Sequence, residues 1–245
     1  MQATLLEAQP KARSLSSCRA LAPTDRDGNN PLGVAASSYR LLAEGLAAHG
    51  IASLRFDKRG MFGSRSAIPD ANRVTIANYA ADVKSWVAKA RSPDPAPDCV
   101  WVLGHSEGGI VALAAAADPD ICGLVLLATP GRRLGDLLRE QLRANPANAH
   151  LLEAAFAAIS ALENGDTVDT AKLDPALAPL FHPAVQGFLR DAMAYDPATL
   201  IAAVDKPVLI CRAAAMCRYR RPTPTASRLP TRAPSSRCWK TSITC

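Results

Sequence analysis

Near the middle of the chain, the apolar run Cys99-Val100-Trp101-Val102-Leu103 passes into Gly104-His105-Ser106-Glu107-Gly108-Gly109 and then into Ile110-Val111-Ala112. A serine hydroxyl can attack a carbonyl carbon and carry the acyl group, so this spacing points to nucleophilic catalysis. An apolar run, Gly-x-Ser-x-Gly and a second apolar run predict a buried strand, a tight turn and a helix that starts at once. In such a turn the serine backbone is strained and its hydroxyl stands clear of the strand, which leaves room only for glycine two residues away. The new helix aims unsatisfied N–H groups at negative charge developing on a substrate oxygen. A tight structural turn with no chemistry is the plain alternative.

A serine so placed needs a sheet behind it and helices around it. Tyr39 to Leu46 has apolar residues at helical spacing, with His49-Gly50 as the stop. Ile51 to Phe56 reads as a strand, and Asp57 to Ser64 as a turn-rich loop. Asn78 to Arg91 reads as a helix with Tyr79, Val83, Trp86 and Val87 on one face, and Pro93, Pro95 and Pro97 break the chain before the next strand. Cys99 to Leu103 and Ile121 to Ala128 are strands flanking the helix Glu107 to Ala117. This alternation favours a mostly parallel sheet with helices on both faces. From Arg132 to Ala203 no strand is expected, only helices at Leu134–Leu142, His150–Leu162 and Val185–Met193, and Lys206 to Ile210 resumes a strand. So long a helical insertion fits a cap over the carboxyl edge of the sheet. The expected units are a core at 1–130, a cap at 131–205, a core strand at 206–210 and a tail at 211–245.

The composition sets limits on partners. With 245 residues, 49% hydrophobic and 20% charged, the chain can bury a proper core in one large or two small domains. The longest purely apolar stretch, Ile110 to Ala117, is far shorter than the ~18–20 residues of a membrane span. No basic segment followed by an apolar one opens the chain, which gives a cytoplasmic expectation. Seven cysteines and no Cys-x-x-Cys argue against a disulfide framework and against zinc; Cys99 and Cys122 read as small buried hydrophobes. The net charge is +6, but residues 211–245 hold seven Arg, one Lys and no acid, so the first 210 residues carry −2. The basic tail has only Tyr219 and Trp239 as aromatics, without the interleaving of a nucleic-acid arm, and no nucleic-acid partner is expected.

On these residues the chain resembles the α/β-hydrolase superfamily, in its bacterial lysophospholipase or serine aminopeptidase-like branch. Besides the serine turn, the resemblance rests on Pro23-Thr24-Asp25-Arg26-Asp27-Gly28-Asn29, on Leu54-Arg55-Phe56-Asp57-Lys58-Arg59-Gly60 and on Tyr195-Asp196-Pro197, within about residues 23 to 210. It implies an α/β-hydrolase fold with a helical cap, and hydrolysis of esters or amides through an acyl-serine. It implies Ser106 as nucleophile, with Glu107 and Leu21 supplying the oxyanion hole through their backbone N–H groups. It implies no metal and no organic cofactor, and a small-molecule ester or amide as substrate.

The resemblance fails where the serine's helpers belong. A triad in this fold runs Ser, then Asp or Glu, then His. After Ser106 the only histidines are His150 and His182, both in the expected cap, and residues 211–245 contain no Asp, Glu or His. No acid or base stands in the expected position. Ser14-Leu15-Ser16-Ser17-Cys18-Arg19 likewise stands where a buried strand belongs, and Ala20-Leu21-Ala22-Pro23 where a Gly-Ser-Gly-Pro turn belongs. Codons for Cys211 to Met216, shifted by two bases, permit Gly-Gly-Arg-Asp. The last eight residues so shifted permit Asn-His-Val, and Arg13 to Ala22 permit an apolar strand ending in Pro-Gly-Ser-Gly. These matches lead to the expectation that residues ~14–22 and ~211–245 are translated out of frame, with the last strands missing or disrupted and the tail without a fold.

The remaining candidates read plainly. His105 occupies the variable position of the turn, with its ring in packing; His49 ends a helix; His150 and His182 fall on cap surfaces or in the site wall. Asp25, Asp27 and Asn29 read as an Asx-anchored turn rather than a calcium loop. Asp57-Lys58-Arg59 reads as a locally salt-bridged loop at the site rim. Phe156, Phe181 and Phe188 suggest an apolar acyl pocket and hence a carboxylic ester substrate. Peptide hydrolysis at a free amino terminus is the second reading, for which Glu153 and Glu163 are the candidate amine-binding carboxylates. A non-catalytic pseudohydrolase that binds an apolar ligand is the third.

Overall fold

A computed structural model describes residues 1–6, 14–18, 24–31, 33–94 and 96–212. Its strands are β1 (Ala3–Leu6), β2 (Ser14–Cys18), β3 (Ser53–Phe56), β4 (Val100–His105), β5 (Ile121–Leu127) and β6 (Val208–Cys211). They form one sheet in the order β1-β3-β2-β4-β5-β6, with β1 antiparallel to β3 and every other pair parallel. The helices are α1 (Ser38–Ala48), α2 (Ile76–Ala90), α3 (Glu107–Ala115), α4 (Leu134–Ala144), α5 (Leu152–Glu163), α6 (Pro183–Ala194) and α7 (Pro197–Ala202).

The two faces of the sheet are covered by different helices. Leu54 and Phe56 are buried, and Phe56 stacks on Trp86 of α2 with ring centroids 5.6 Å apart. The alternate residue Arg55 points to the opposite face, where it bonds the Asp27 carboxylate. On β4, Val100 and Val102 are fully buried, while the alternate residue His105 meets Tyr39 of α1. Thus α1 lies on one face and α2 on the other. α3 is buried on every side, which marks it as a core helix rather than an amphipathic surface one. α2 begins at a capping box: the Thr75 side chain accepts from the Asn78 N–H at 3.0 Å, and Asn78 Oδ1 accepts from the Thr75 N–H at 3.1 Å.

Between β5 and β6 the described residues form no strand, and their regular structure is α4 to α7 and short 3₁₀ turns joined by loops. α6 docks on the start of α2. The Gly187 N–H donates to Asn72 Oδ1 at 2.6 Å, the Ile76 N–H donates to the Asp191 carboxylate at 2.6 Å, and Phe188 meets Tyr79 edge-on. The helix starts of α2 and α3 lie at the carboxyl edge of the parallel strands, so these contacts bring the insertion to that edge.

Three readings are corrected or extended. Cys99 and Cys122 are not separate buried hydrophobes: they form a disulfide across β4 and β5, with Cα atoms 5.6 Å apart, and both are half-buried. The β4–β5 register, in which Val100 faces Ile121, makes the two neighbours, and a count of cysteines carries no register. The segment Ser14–Cys18, whose composition is that of a surface, pairs as a parallel strand with β3 on one side and β4 on the other. Among the described strands β6 is an edge, with Leu209 and Ile210 exposed. The tail expected without a fold lies, beyond Arg212, outside the described residues, as does Leu21.

Candidate functional site

Ser106 stands between the last residue of β4 and the first of α3, at φ 54° and ψ −124°. A non-glycine residue held there stores on the order of 1–3 kcal/mol of backbone strain, which its surroundings must over-determine. The restraints are visible. The Ser106 N–H donates to the Leu127 carbonyl of β5 at 2.8 Å, and the Gly109 N–H donates to the Ser106 carbonyl at 2.9 Å. A Cβ on Gly104 would lie 2.3 Å from the Gly108 carbonyl oxygen, and one on Gly109 would lie 1.9 Å from the Thr129 hydroxyl. The glycines are therefore required by the approach of α3 to β4 and to the loop after β5. The Ser106 hydroxyl makes no capping bond to α3, and the residue is half-exposed. The Glu107 N–H belongs to the first turn of α3, where no intrahelical acceptor exists.

Glu107 itself is buried. Its carboxylate pairs with Lys58 at 3.3 Å, both side chains being 4% exposed. Burial pushes the Glu107 carboxyl above the usual range, and the Lys58 charge opposes that rise. The Lys58 ammonium also lies over the Tyr79 ring, 5.2 Å from its centroid. Asp57 and Arg59 pair elsewhere: Asp57 accepts from the Arg26 N–H at 2.7 Å and faces its guanidinium at 3.3 Å, while Arg59 Nε donates to Asp82 at 2.7 Å. The reading of Asp57-Lys58-Arg59 as a locally bridged loop is thus corrected. All three charges reach partners distant in sequence, because Asp57 and Lys58 are buried and need counter-charges from packed elements.

Asp25 anchors its turn as expected, accepting from the N–H groups of Asp27 and Asn29 at 2.9 Å each. Among the described residues no group of three or more His, Cys, Asp or Glu could hold a metal ion. His105 Nδ1 meets the Tyr39 hydroxyl at 2.6 Å, and burial lowers its pKa from the ordinary histidine value. His49 Nδ1 bonds the Gly45 carbonyl at the end of α1, the His182 ring caps α6 by accepting from the Ala184 N–H, and His150 is exposed. The three phenylalanines belong to one core, with Phe156 and Phe188 packed against the cluster that contains Phe181. Phe181 is fully buried in the core, Phe156 lies under the Arg143 guanidinium, and Phe188 packs on Tyr79. Glu163 is held through both oxygens by Arg139, at 2.8 and 2.6 Å, and Glu153 is exposed.

Over residues 32–167, more than half of its length, the chain matches the family described as serine aminopeptidase, S33. The chain belongs to that family. It is therefore an α/β hydrolase by descent, and its family is one of hydrolases. Solved structures agree on the fold. A hydrolase from Pseudomonas aeruginosa PA01 is 20% identical with a TM-score of 0.53, over 86% of this chain and 75% of that one. A proline iminopeptidase from Mycobacterium smegmatis is 18% identical with a TM-score of 0.53, over 85% and 76%. An enol-lactonase from Burkholderia xenovorans LB400 is 18% identical with a TM-score of 0.52, over 87% and 77%. No curated protein sequence matches the chain. Among the described residues no helix is long and apolar enough to cross a membrane.

Proposed function

We propose that this chain derives from a serine hydrolase of carboxylic esters in which Ser106 is the nucleophile. The observation that carries the reading is the strained Ser106 at the carboxyl end of a central strand, with the N-terminus of α3 behind it. On this reading the Ser106 oxygen attacks the ester carbonyl carbon and the Glu107 N–H donates to the oxyanion. The alcohol then leaves an acyl-serine, which water hydrolyses to the acid and free serine. The attack needs a base to take the serine proton, and residues 211–245 supply no Asp, Glu or His.

The chain as it stands is accordingly impaired. Loss of the base from such a triad costs on the order of 10⁶ in turnover, about 8 kcal/mol of barrier. The same reading takes residues ~14–22 and ~211–245 as out-of-frame text. A strand paired on both sides in a parallel sheet is ordinarily a continuous apolar run; β2 is Ser-Leu-Ser-Ser-Cys, whereas β6 is Val-Leu-Ile-Cys. An ester is preferred to a peptide because Glu163 is committed to Arg139 and Glu153 faces solvent, which leaves neither set to hold a substrate ammonium.

The coding DNA tests the frame directly, and alternative frames lacking Gly-Gly-Arg-Asp and Asn-His-Val would refute it. Turnover of p-nitrophenyl esters tests the rest. The present chain should barely exceed its Ser106→Ala variant, and a large Ser106-dependent rate overturns the impairment. The frame-restored chain should hydrolyse the ester faster than an amino-acid p-nitroanilide and be labelled by a fluorophosphonate at Ser106. Absence of that labelling removes Ser106 from the role.

A further inference from the structure

The Lys58–Glu107 pair calls for an explanation that stability does not provide. Two buried charges in contact are often no more stable than an apolar pair of similar volume. Here the match is incomplete as well, because Glu107 Oε2 is buried without a hydrogen-bond partner. What distinguishes the pair is its place. Glu107 immediately follows the strained Ser106, and its own N–H is the donor assigned above to the oxyanion. Lys58 comes from the loop after β3, two strands away from β4 in the sheet. Its neighbour Asp57 grips Arg26 through both the backbone N–H and the guanidinium.

We propose that Lys58 is a positioning residue: through its buried bond to Glu107 it holds the first residue of α3, and with it the Glu107 N–H, in the orientation that an oxyanion requires. The inference rests on the reading of Ser106 as nucleophile for its meaning, but the geometric claim can be measured without any reaction. Ser106 and Gly109 each donate a backbone bond that closes the turn, so their amide exchange reports how often the turn opens. The ammonium supplies a fixed charge on a buried stem. Without it the Glu107 carboxylate is left with no bond on either oxygen.

The test is amide hydrogen exchange of the full chain, read at Ser106 and Gly109 by fragmentation mass spectrometry. Lys58→Met should speed exchange at these two amides by about tenfold or more, against at most twofold in Val87→Ala, a core truncation at the far end of α2. Lys58→Arg, whose fork can take both Glu107 oxygens, should stay within about twofold of the parent chain. If Lys58→Met alone does not fold, the double variant Lys58→Met/Glu107→Gln removes both charges and should show the same local acceleration. Equal exchange in the Lys58→Met (or double) and Val87→Ala chains overturns the proposal, as does Lys58→Arg exchanging as fast as Lys58→Met. Failure of fluorophosphonate labelling in the frame-restored chain sinks the reading of Ser106 instead and leaves this result standing.

Discussion

Breaking the Cys99–Cys122 bond should cost the fold more than any single surface contact. The bond joins residues 23 positions apart, and the loop it closes contains β4, Ser106 and α3. In the chain-entropy description, closing a loop of that length lowers the entropy of the unfolded state by roughly 11 cal/mol/K, or about 3.4 kcal/mol at 25 °C. For a chain of this size, 1 kcal/mol corresponds to about 2–4 °C in Tm, so reduction should lower Tm by roughly 7–14 °C. The assay is calorimetry with and without a dithiol reductant, with thiols counted by alkylation and mass. The double variant Cys99→Ser/Cys122→Ser serves as the reductant-insensitive reference and should melt at the reduced temperature. A Tm that moves by less than about 2 °C once both thiols are alkylated would refute the loop-closure argument.

Other perturbations should act in stated directions. Gly104→Ala should destabilise by about 2–3 kcal/mol or more in urea denaturation, because the added methyl meets the α3 backbone rather than a movable side chain. Gly45→Ala should stabilise by about 0.5–1 kcal/mol in the same assay, since Gly45 lies inside α1 and its Cβ would meet open space. Burial lowers the His105 pKa, so as pH falls below the ordinary histidine value of about 6.5 the unfolded chain takes up a proton that the folded chain resists. Stability is then lost with falling pH, and His105→Gln should flatten that limb in melts from pH 7 to pH 5. The Glu107 carboxyl is shifted the other way, so the folded chain holds its proton longer than the unfolded chain does. Between the ordinary glutamate value and the raised one, stability falls as pH rises, and Glu107→Gln should abolish that slope in the same melts.

What could be read from residues alone was whatever neighbouring residues decide together. The strand–turn–helix around Ser106 follows from glycines and apolar runs within a dozen positions, and the helices of the insertion follow from their own spacing. β1 is not legible because four residues, Ala-Thr-Leu-Leu, carry too little pattern to mark an edge strand. β2 is legible only through the resemblance, since its serines contradict a central strand. α7 is not legible because six residues span fewer than two helical turns. The pairings that brace the site were invisible for another reason. Lys58 and Glu107 are 49 positions apart and Cys99 and Cys122 are 23 apart, and only the order and register of the strands bring each pair together.

On the proposed reading, the two halves of a serine hydrolase site are built by different kinds of constraint, so that one can persist without the other. The half that holds the nucleophile is local: Gly104 against the Gly108 carbonyl, the Ser106 N–H on Leu127, and Gly109 against Thr129 all lie between β4 and the loop after β5. None of these contacts involves a residue beyond 129. The acid and base that the family resemblance implies would come from loops after later strands, and the residues after Ile210 offer neither. On the proposed reading, a change of text after β6 would remove the means of moving a proton and leave the contacts that hold Ser106 untouched. The disulfide adds to the same separation, because it ties β4 to β5 and encloses the turn without reference to β6. Strain at Ser106 is thus maintained by its immediate neighbours and does not depend on a working triad.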